Sequence, residues 1–381
     1  MAAGFQVMSH KNAGEENCLR SIADKTHILG IRSQTRISAQ TLAHFRDLWV
    51  IGAYCIGTNQ IDLNATANAG IPVFNAPYSN TRSVAELVVG EGIMLMRRIF
   101  EKSLAAHRGE WYKSAAGCTE IRGKIVGIVG YGHIGSQVSV LLEQLGMSVV
   151  FHDIVDKLPL GNAQQTQSLH ELLEKADLVT LHVPDTPETR DMIGINELQK
   201  MKKGSLLINS SRGQVVDLHA LHQVLHDGHL AGAAIDVFPQ EPNDTKAKFY
   251  NVLQNLSNVI LTPHIGGSTQ EAQENIAAYV SEKLIQYAQS GSTNGAVNFP
   301  EVDLPRMPRT HRILHIHKNV PGVLAKINSV FARRNINVES QILRTNNQIG
   351  YLIVDVDHHI SAHVLELMRY ITETIKIRKI E

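Results

Sequence analysis

The segment Val126-Gly127-Ile128-Val129-Gly130-Tyr131-Gly132-His133-Ile134-Gly135 constrains this chain more than any other. It sets G-x-G-x-x-G directly after an apolar strand pattern, Lys124–Val129, and directly before a helical one, Ser136–Leu145. Gly130 permits a tight turn, Gly132 lets a pyrophosphate approach the backbone, and Gly135 lets helix and strand pack closely. His133 and Ile134 belong to the same cofactor loop. A glycine triplet alone could be a bare turn, but here Asp153 ends the following strand pattern at about the 20-residue distance where a carboxylate meets a ribose diol. Its charge repels a 2′-phosphate, and no arginine follows in Ile154–Lys157 to hold one, so the expected cofactor is NAD rather than NADP.

Around this motif apolar strands alternate with amphipathic helices, the signature of a doubly wound parallel sheet in the α/β class. Further strands are expected at Ser148–His152, Asp177–His182, Ser205–Asn209, Gly232–Asp236 and Val259–Leu261, six in all with the first. Helices are expected at Ser168–Glu174, Ile195–Met201 and Leu218–Asp227. Shorter strands at Ile28–Ile31, Val50–Ile51 and Pro72–Phe74 indicate a small α/β unit ahead of the dinucleotide domain, with Ser83–Phe100 as one long joining helix. After the helical stretch Thr269–Ser290, the Gly- and Pro-rich Gly291–Pro308 reads as a linker. Beyond it the order is βαββαβ, a ferredoxin-like module: Arg312–Lys318, Pro321–Arg334, Asn337–Thr345, Gln348–Asp357, Ser361–Ile371 and Thr374–Ile380.

Ligands bind outside the carboxyl ends of strands in such sheets, so residues after the later strands carry the chemistry. Three segments qualify: Asn209-Ser210-Ser211-Arg212-Gly213, Asp236 through Pro242, and Thr262-Pro263-His264-Ile265-Gly266-Gly267. Oxidation of a 2-hydroxy acid needs a cation for the carboxylate, a group that exchanges the hydroxyl proton, and a neighbour that tunes it. Arg212 offers a bidentate grip on a carboxylate. His264 titrates near neutrality. Glu241 would favour protonated His264 and hold its ring. Singly each has a plain alternative, a turn cap for Glu241 and a packed ring for His264; together they point to catalysis. Asp236 could meet the nicotinamide carboxamide or simply cap a turn. Ser210, Ser211, Gly266 and Gly267 line the same cofactor edge, with Arg212 and His264.

Lys+Arg and Asp+Glu are both 36 in 381 residues, so the chain lacks the basic footprint of a nucleic-acid or anionic-membrane binder. Small molecules and other copies of itself are the expected partners. Cys18, Cys55 and Cys118 have no metal-type spacing, and no structural metal is expected from the 19 histidines. With no signal peptide and no apolar run of membrane-spanning length, the expected location is cytoplasmic.

These segments resemble the D-isomer-specific 2-hydroxy acid dehydrogenases. Ile56–Asp62, Phe74–Glu86 and Ala296–Pro300 narrow the likeness to the serine-regulated branch that ends in an ACT domain. The resemblance implies oxidation of 3-phospho-D-glycerate with NAD, the entry step of serine synthesis, in a homo-oligomer, expected to be a tetramer. It implies a flavodoxin-like substrate domain interrupted by the dinucleotide domain: residues 1–79, then 80–266, a return and linker over 267–308, and an ACT domain over 309–381. Arg32 and Asn80 would meet the substrate's phosphate end, with Trp111 and Lys113 reaching a neighbouring subunit's site. Gln34 stands where relatives often carry a second arginine, which leaves the phosphate grip either weaker or borrowed from Arg36. L-serine would bind through His317, Asn319 and Asn337, near a helix start whose N–H groups favour a carboxylate. The resemblance also implies a strand and helix, roughly 25–30 residues, ahead of Met1, with Met1–Phe5 as the end of that helix and an unpaired sheet edge without them. Two other functions fit the same motifs: a hydroxypyruvate or 2-oxoglutarate reductase, and an NAD-sensing binding protein without turnover.

Overall fold

The computed structural model describes residues 4–10, 16–242, 247–357 and 361–380. Contacts divide the chain into two compact units: Met1–Ser79 with Glu274–Glu381, and Asn80–Gln273.

The first unit opens with a parallel sheet of β1 (Ile28–Ile31), β2 (Val50–Ala53) and β3 (Val73–Phe74) in that spatial order. Met1–Ala3, part of the stretch expected to end a helix, lies outside the described residues. Gly4 and Phe5 are not helical.

The second unit holds β4 (Ile125–Val129), β5 (Ser148–His152), β6 (Gln164–Gln165), β7 (Leu178–Leu181), β8 (Leu206–Asn209), β9 (Gly232–Ile235) and β10 (Val259–Leu261). They form one parallel sheet in the order β10-β9-β8-β7-β4-β5-β6. The sheet has seven strands rather than six, because the short β6 adds to the edge beside β5. Alternate residues of each strand face opposite sides. Leu207 joins the core over the helices Leu169–Lys175 and Leu218–His226, while Leu206 and Ile208 join the core under Thr81–Met96 and His133–Gln144. After β4 the chain builds outward through β5 and β6, then returns to place β7 on the other side of β4. That reversal sets the switch point beside the Gly130–Gly135 loop.

The expected single helix over Ser83–Phe100 is two helices, Thr81–Met96 and Ile99–His107. Arg98 breaks it, with φ of 51°. Its guanidinium pairs with Glu101 at 2.7 Å and donates to the Ala116 carbonyl at 3.2 Å, contacts that hold this left-handed turn against the continuing apolar period.

Back in the first unit, β11 (His311–Lys318), β12 (Val338–Thr345), β13 (Ile349–Val356) and β14 (Thr374–Ile380) make an antiparallel sheet in the order β12-β13-β11-β14. Helices Val323–Arg333 and Ala362–Arg369 cover one face through Val323, Ile327, Phe331, Val364 and Met368. The segment read as a linker is knit into this unit. Asn298 accepts from the Val73 N–H at 2.8 Å and donates to the Ile71 carbonyl at 2.9 Å. Buried Arg312 binds Asp355 through two bonds of 2.7 and 2.6 Å and also donates to the carbonyls of Ser290, Leu304 and Pro305. A bidentate charged pair satisfied on all sides is a fixed joint, not a hinge. Among the described residues no helix is long and apolar enough to cross a membrane.

Candidate active site

Because β4, β5 and β7–β10 are parallel, the loops that leave their carboxyl ends share one edge of the second unit. The loop after β4 turns at Gly130, whose φ of 92° a side chain would resist. A Cβ on Gly135 would stand 2.2 Å from the Gly130 carbonyl oxygen, so only glycine lets the helix His133–Gln144 start this close to the strand. Nothing lies within 4 Å of the Cβ position of Gly132. Asp153 accepts from the Tyr131 N–H at 2.9 Å and the Val155 N–H at 3.2 Å, fixing the carboxylate beside the glycine loop. Ser210 Oγ and His182 Nδ1 are buried at this edge without a protein partner. Buried polar groups need such partners, so these atoms, with the open approach at Gly132, fit a dinucleotide laid across the strand ends.

The proton-transfer pair is assembled across two loops. His264 Nδ1 lies 2.8 and 3.0 Å from the two Glu241 oxygens, and the Phe238 N–H donates to Glu241 at 3.1 Å. The hydrogen bond to Glu241, and then its charge, hold His264 above the usual histidine range, against burial and the repulsion of Arg212. Burial opposes the charge on Glu241, but His264, the Phe238 N–H and Arg212 outweigh it and keep the carboxyl below its ordinary range. With Nδ1 engaged, Nε2 of a side chain that is 50% exposed remains for a substrate. Arg212 donates to the Ser211 carbonyl at 2.7 Å and has no carboxylate partner among the described residues. Its influence on both His264 and Glu241 places the cation in the same cluster.

Asp236 turns out to organise this loop. It is 1% exposed and accepts from the Thr262 hydroxyl at 2.6 Å, the Ile265 N–H at 2.8 Å and the Gly266 N–H at 2.9 Å. These bonds clasp the turn on which His264 adopts φ of 54°, an uncommon conformation for a non-glycine residue. Of the two roles open for Asp236, this geometry favours the turn cap. Thr262 and Gly213 both stand in the segments quoted from the sequence, where neither was given a part. A Cβ on Gly213 would stand 2.0 Å from the Phe238 carbonyl carbon, so its absence lets the Arg212 loop meet the Glu241 loop.

The substrate candidates are spread more widely. Asn80 precedes the helix Thr81–Met96 and lies against Gly267, while Arg32 follows β1 in the other unit. Trp111 is 88% exposed and Lys113 is also exposed.

In the C-terminal sheet His317 is buried, with Nδ1 bonded to the Lys318 carbonyl at 2.9 Å and Nε2 unpartnered. Asn319 donates to the Asn346 carbonyl at 2.7 Å, and Asn337 donates to Glu339 at 3.0 Å. β11 and β12 both run antiparallel to β13, hence parallel to each other. Asn319 follows β11 and Asn337 precedes β12, so one chain holds the two asparagines at opposite ends of the sheet. Eight residues of strand separate those ends by roughly 25 Å.

Comparisons with known proteins agree with this geometry. Residues 89–266 match the family model for the NAD-binding domain of D-isomer specific 2-hydroxyacid dehydrogenases, and 313–376 match that of the AHAS small subunit-like ACT domain. The D-3-phosphoglycerate dehydrogenase of Escherichia coli K12 is 52% identical over 99% of this chain and 92% of its own length. That of Haemophilus influenzae is 50% identical over 99% of this chain and 92% of its own. Among solved structures, the D-lactate dehydrogenase of Aquifex aeolicus, complexed with NAD and lactic acid, superposes with a TM-score of 0.63 at 28% identity, covering 75% of this chain and 90% of that one.

Proposed function

The chain belongs to the D-isomer-specific 2-hydroxyacid dehydrogenases and is an NAD-dependent oxidoreductase, and from that premise we propose that it oxidises 3-phospho-D-glycerate to 3-phosphohydroxypyruvate as the entry step of L-serine synthesis. The observation that carries this reading is the His264–Glu241 pair beside Arg212, whose guanidinium has no carboxylate partner among the described residues.

Gly130, Gly132, His133, Ile134, Gly135 and Asp153 would hold NAD, with Ser210, Ser211, Gly266 and Gly267 along the same edge. When bound, NAD supplies the hydride acceptor. Arg212 grips the substrate carboxylate through two parallel bonds and so fixes the plane of C2. His264 Nε2 takes the C2 hydroxyl proton as the C2–H bond breaks, and Glu241 stabilises the imidazolium through Nδ1. In the reverse direction His264 returns that proton to the carbonyl oxygen. Arg32 and Asn80 would take the phosphate end, with Arg36 offsetting Gln34. The exposure of Trp111 and Lys113 suits a reach into a neighbouring subunit, within a tetramer in the cytoplasm.

The ACT domain implies an amino-acid effector, and we assign it as L-serine, held by His317, Asn319 and Asn337. With the two asparagines at opposite ends of one sheet, a single serine meets both only when a second copy supplies one of them. Edge-to-edge pairing along β12, the sheet edge from which Asn337 leaves, would do so.

Steady-state kinetics on a panel of D-2-hydroxy acids tests the assignment. The account expects kcat/KM with 3-phospho-D-glycerate to exceed that with D-glycerate or D-2-hydroxyglutarate. A preference for either of those marks the protein as a different reductase, and turnover of none marks it as a binding protein.

A further inference from the structure

The helix Thr81–Met96 buries a stripe of Val84, Val88 and Leu95 against the sheet, and one residue on that stripe is an acid. Glu91 is 2% exposed, and neither of its carboxyl oxygens has a hydrogen-bond partner. An ionised carboxylate in such a place, without donors, is among the costliest groups a fold can hold. Leucine would suit the helix and the core equally well.

Its neighbours connect Glu91 to the catalytic loop. Asp236, which clasps the His264 turn, acts on Glu91 as a like charge, and Thr262 is near enough to influence it without standing in hydrogen-bond geometry. Two carboxyls in one buried cluster do not both ionise readily, and the proton stays where donors are fewest. Asp236 receives bonds from Thr262, Ile265 and Gly266, whereas Glu91 receives none. Burial first, and the charge of Asp236 second, push the Glu91 carboxyl up to about 8. The other charged groups of the cluster are His264, Glu241 and Arg212 on the strand-end loops, while Val84, Val88 and Leu95 on Glu91's own helix face carry none.

We propose that Glu91 is a positioning residue for the proton-transfer pair: as the neutral acid it leaves a single charge, on Asp236, beneath the His264 turn, and its ionisation adds a second charge that loosens the turn and ends turnover at alkaline pH. This deepens the dehydrogenase reading and rests on the role given there to His264. The hydrogen bonds most exposed to the second charge are those from Thr262, Ile265 and Gly266, since they hold His264 in its left-handed conformation.

The oxidation direction isolates the effect, because there His264 must be unprotonated and cannot itself cause an alkaline loss. For the unmodified protein kcat/KM should rise as His264 loses its proton, then fall at higher pH by about tenfold per pH unit, the slope of a single ionisation. Glu91→Gln keeps a neutral group of the same shape, so it should keep the rise and lose the fall. A fall that persists in Glu91→Gln with the same midpoint overturns the proposal. A second measurement does not need the variant, and its first reading does not need turnover: the infrared carbonyl band of a protonated carboxylic acid should be present in the unmodified protein at neutral pH. It should vanish with the midpoint of the alkaline loss, and its absence at neutral pH overturns the proposal equally. If the unmodified protein turns over no hydroxy acid, the functional reading fails, and the infrared titration still decides the state of Glu91.

Discussion

In the parallel sheet, β8, β9 and β10 deliver Arg212, Glu241 and His264 to one edge, and a single chain closes the His264–Glu241 bond at 2.8 Å. In the C-terminal antiparallel sheet, β11 and β12 run the same way but leave Asn319 after one strand and Asn337 before the other. The first arrangement makes a site from one chain. In the reading proposed above, the second makes two half-sites, each completed by another copy. Proton transfer needs groups fixed within hydrogen-bond reach, which strand ends of one sheet provide. A regulatory ligand gains from the opposite layout, because a molecule bound between copies couples their arrangement to its own occupancy.

The largest test of this contrast falls on the catalytic side. His264→Ala should lower kcat for phosphohydroxypyruvate reduction by about 10²–10⁴-fold with KM little changed, the usual share of a positioned acid. Arg212→Ala should lower kcat and raise KM together, since it holds the carboxylate in ground and transition states alike. Steady-state kinetics of the two variants separates the roles, and near-normal turnover of His264→Ala would remove the histidine from the chemistry.

On the regulatory side the expected effect is smaller. Asn319→Ala and Asn337→Ala should each raise the serine concentration for half-inhibition by about 10–150-fold, the worth of one hydrogen bond to a charged group of the amino acid. Their uninhibited rates should match that of the unmodified protein. A lowered basal rate in either variant would show that the two regions are not separable as described.

A still smaller effect is expected at the cofactor's edge. Asp153→Ala removes a charged acceptor for a ribose diol, about 1.5 kcal/mol, so the ratio of kcat/KM with NAD to that with NADP should fall about tenfold. Equal efficiency with both cofactors before substitution would contradict the reading of Asp153.

The subtlest test shifts pH rather than rate. Because Glu241 raises His264, protonated His264 persists above its ordinary titration. Reduction, which needs the acid form, should therefore hold up as pH rises, and oxidation should begin only above the raised value. Glu241→Gln removes the charge and should move both limbs to lower pH, read from kcat/KM profiles in the two directions.

What could be read from the sequence follows from range of interaction. The strands, the glycine loop with Asp153, and the clustering of Arg212, Glu241 and His264 were legible because each sits at a strand end marked by a local pattern. The break at Arg98 was not, since the apolar period continues through it and the contacts to Glu101 and Ala116 that fix it lie outside that period. Gly291–Pro308 has a linker's composition, yet Asn298 and Arg312 tie it down through partners that composition does not reveal. Glu91 gave one signal, an acid in an apolar stripe, but its link to Asp236 required the register of helix on sheet. The placement of Asn319 and Asn337 was hidden for the same reason, because which ends coincide depends on strand direction.

The central claim, that one chain completes the proton-transfer pair whereas two chains complete the effector site, is tested most directly by co-expressing Asn319→Ala chains with Asn337→Ala chains and titrating the purified mixed assemblies with L-serine. Paired copies of unlike variants contain one site with both asparagines intact and one with neither. The account predicts that serine inhibition, weakened in each variant alone, returns in part in the mixture, with the same uninhibited kcat in all three. If the mixture stays as insensitive as its components while the unmodified protein is inhibited, a single chain builds the whole effector site and the contrast between the two sheets is wrong.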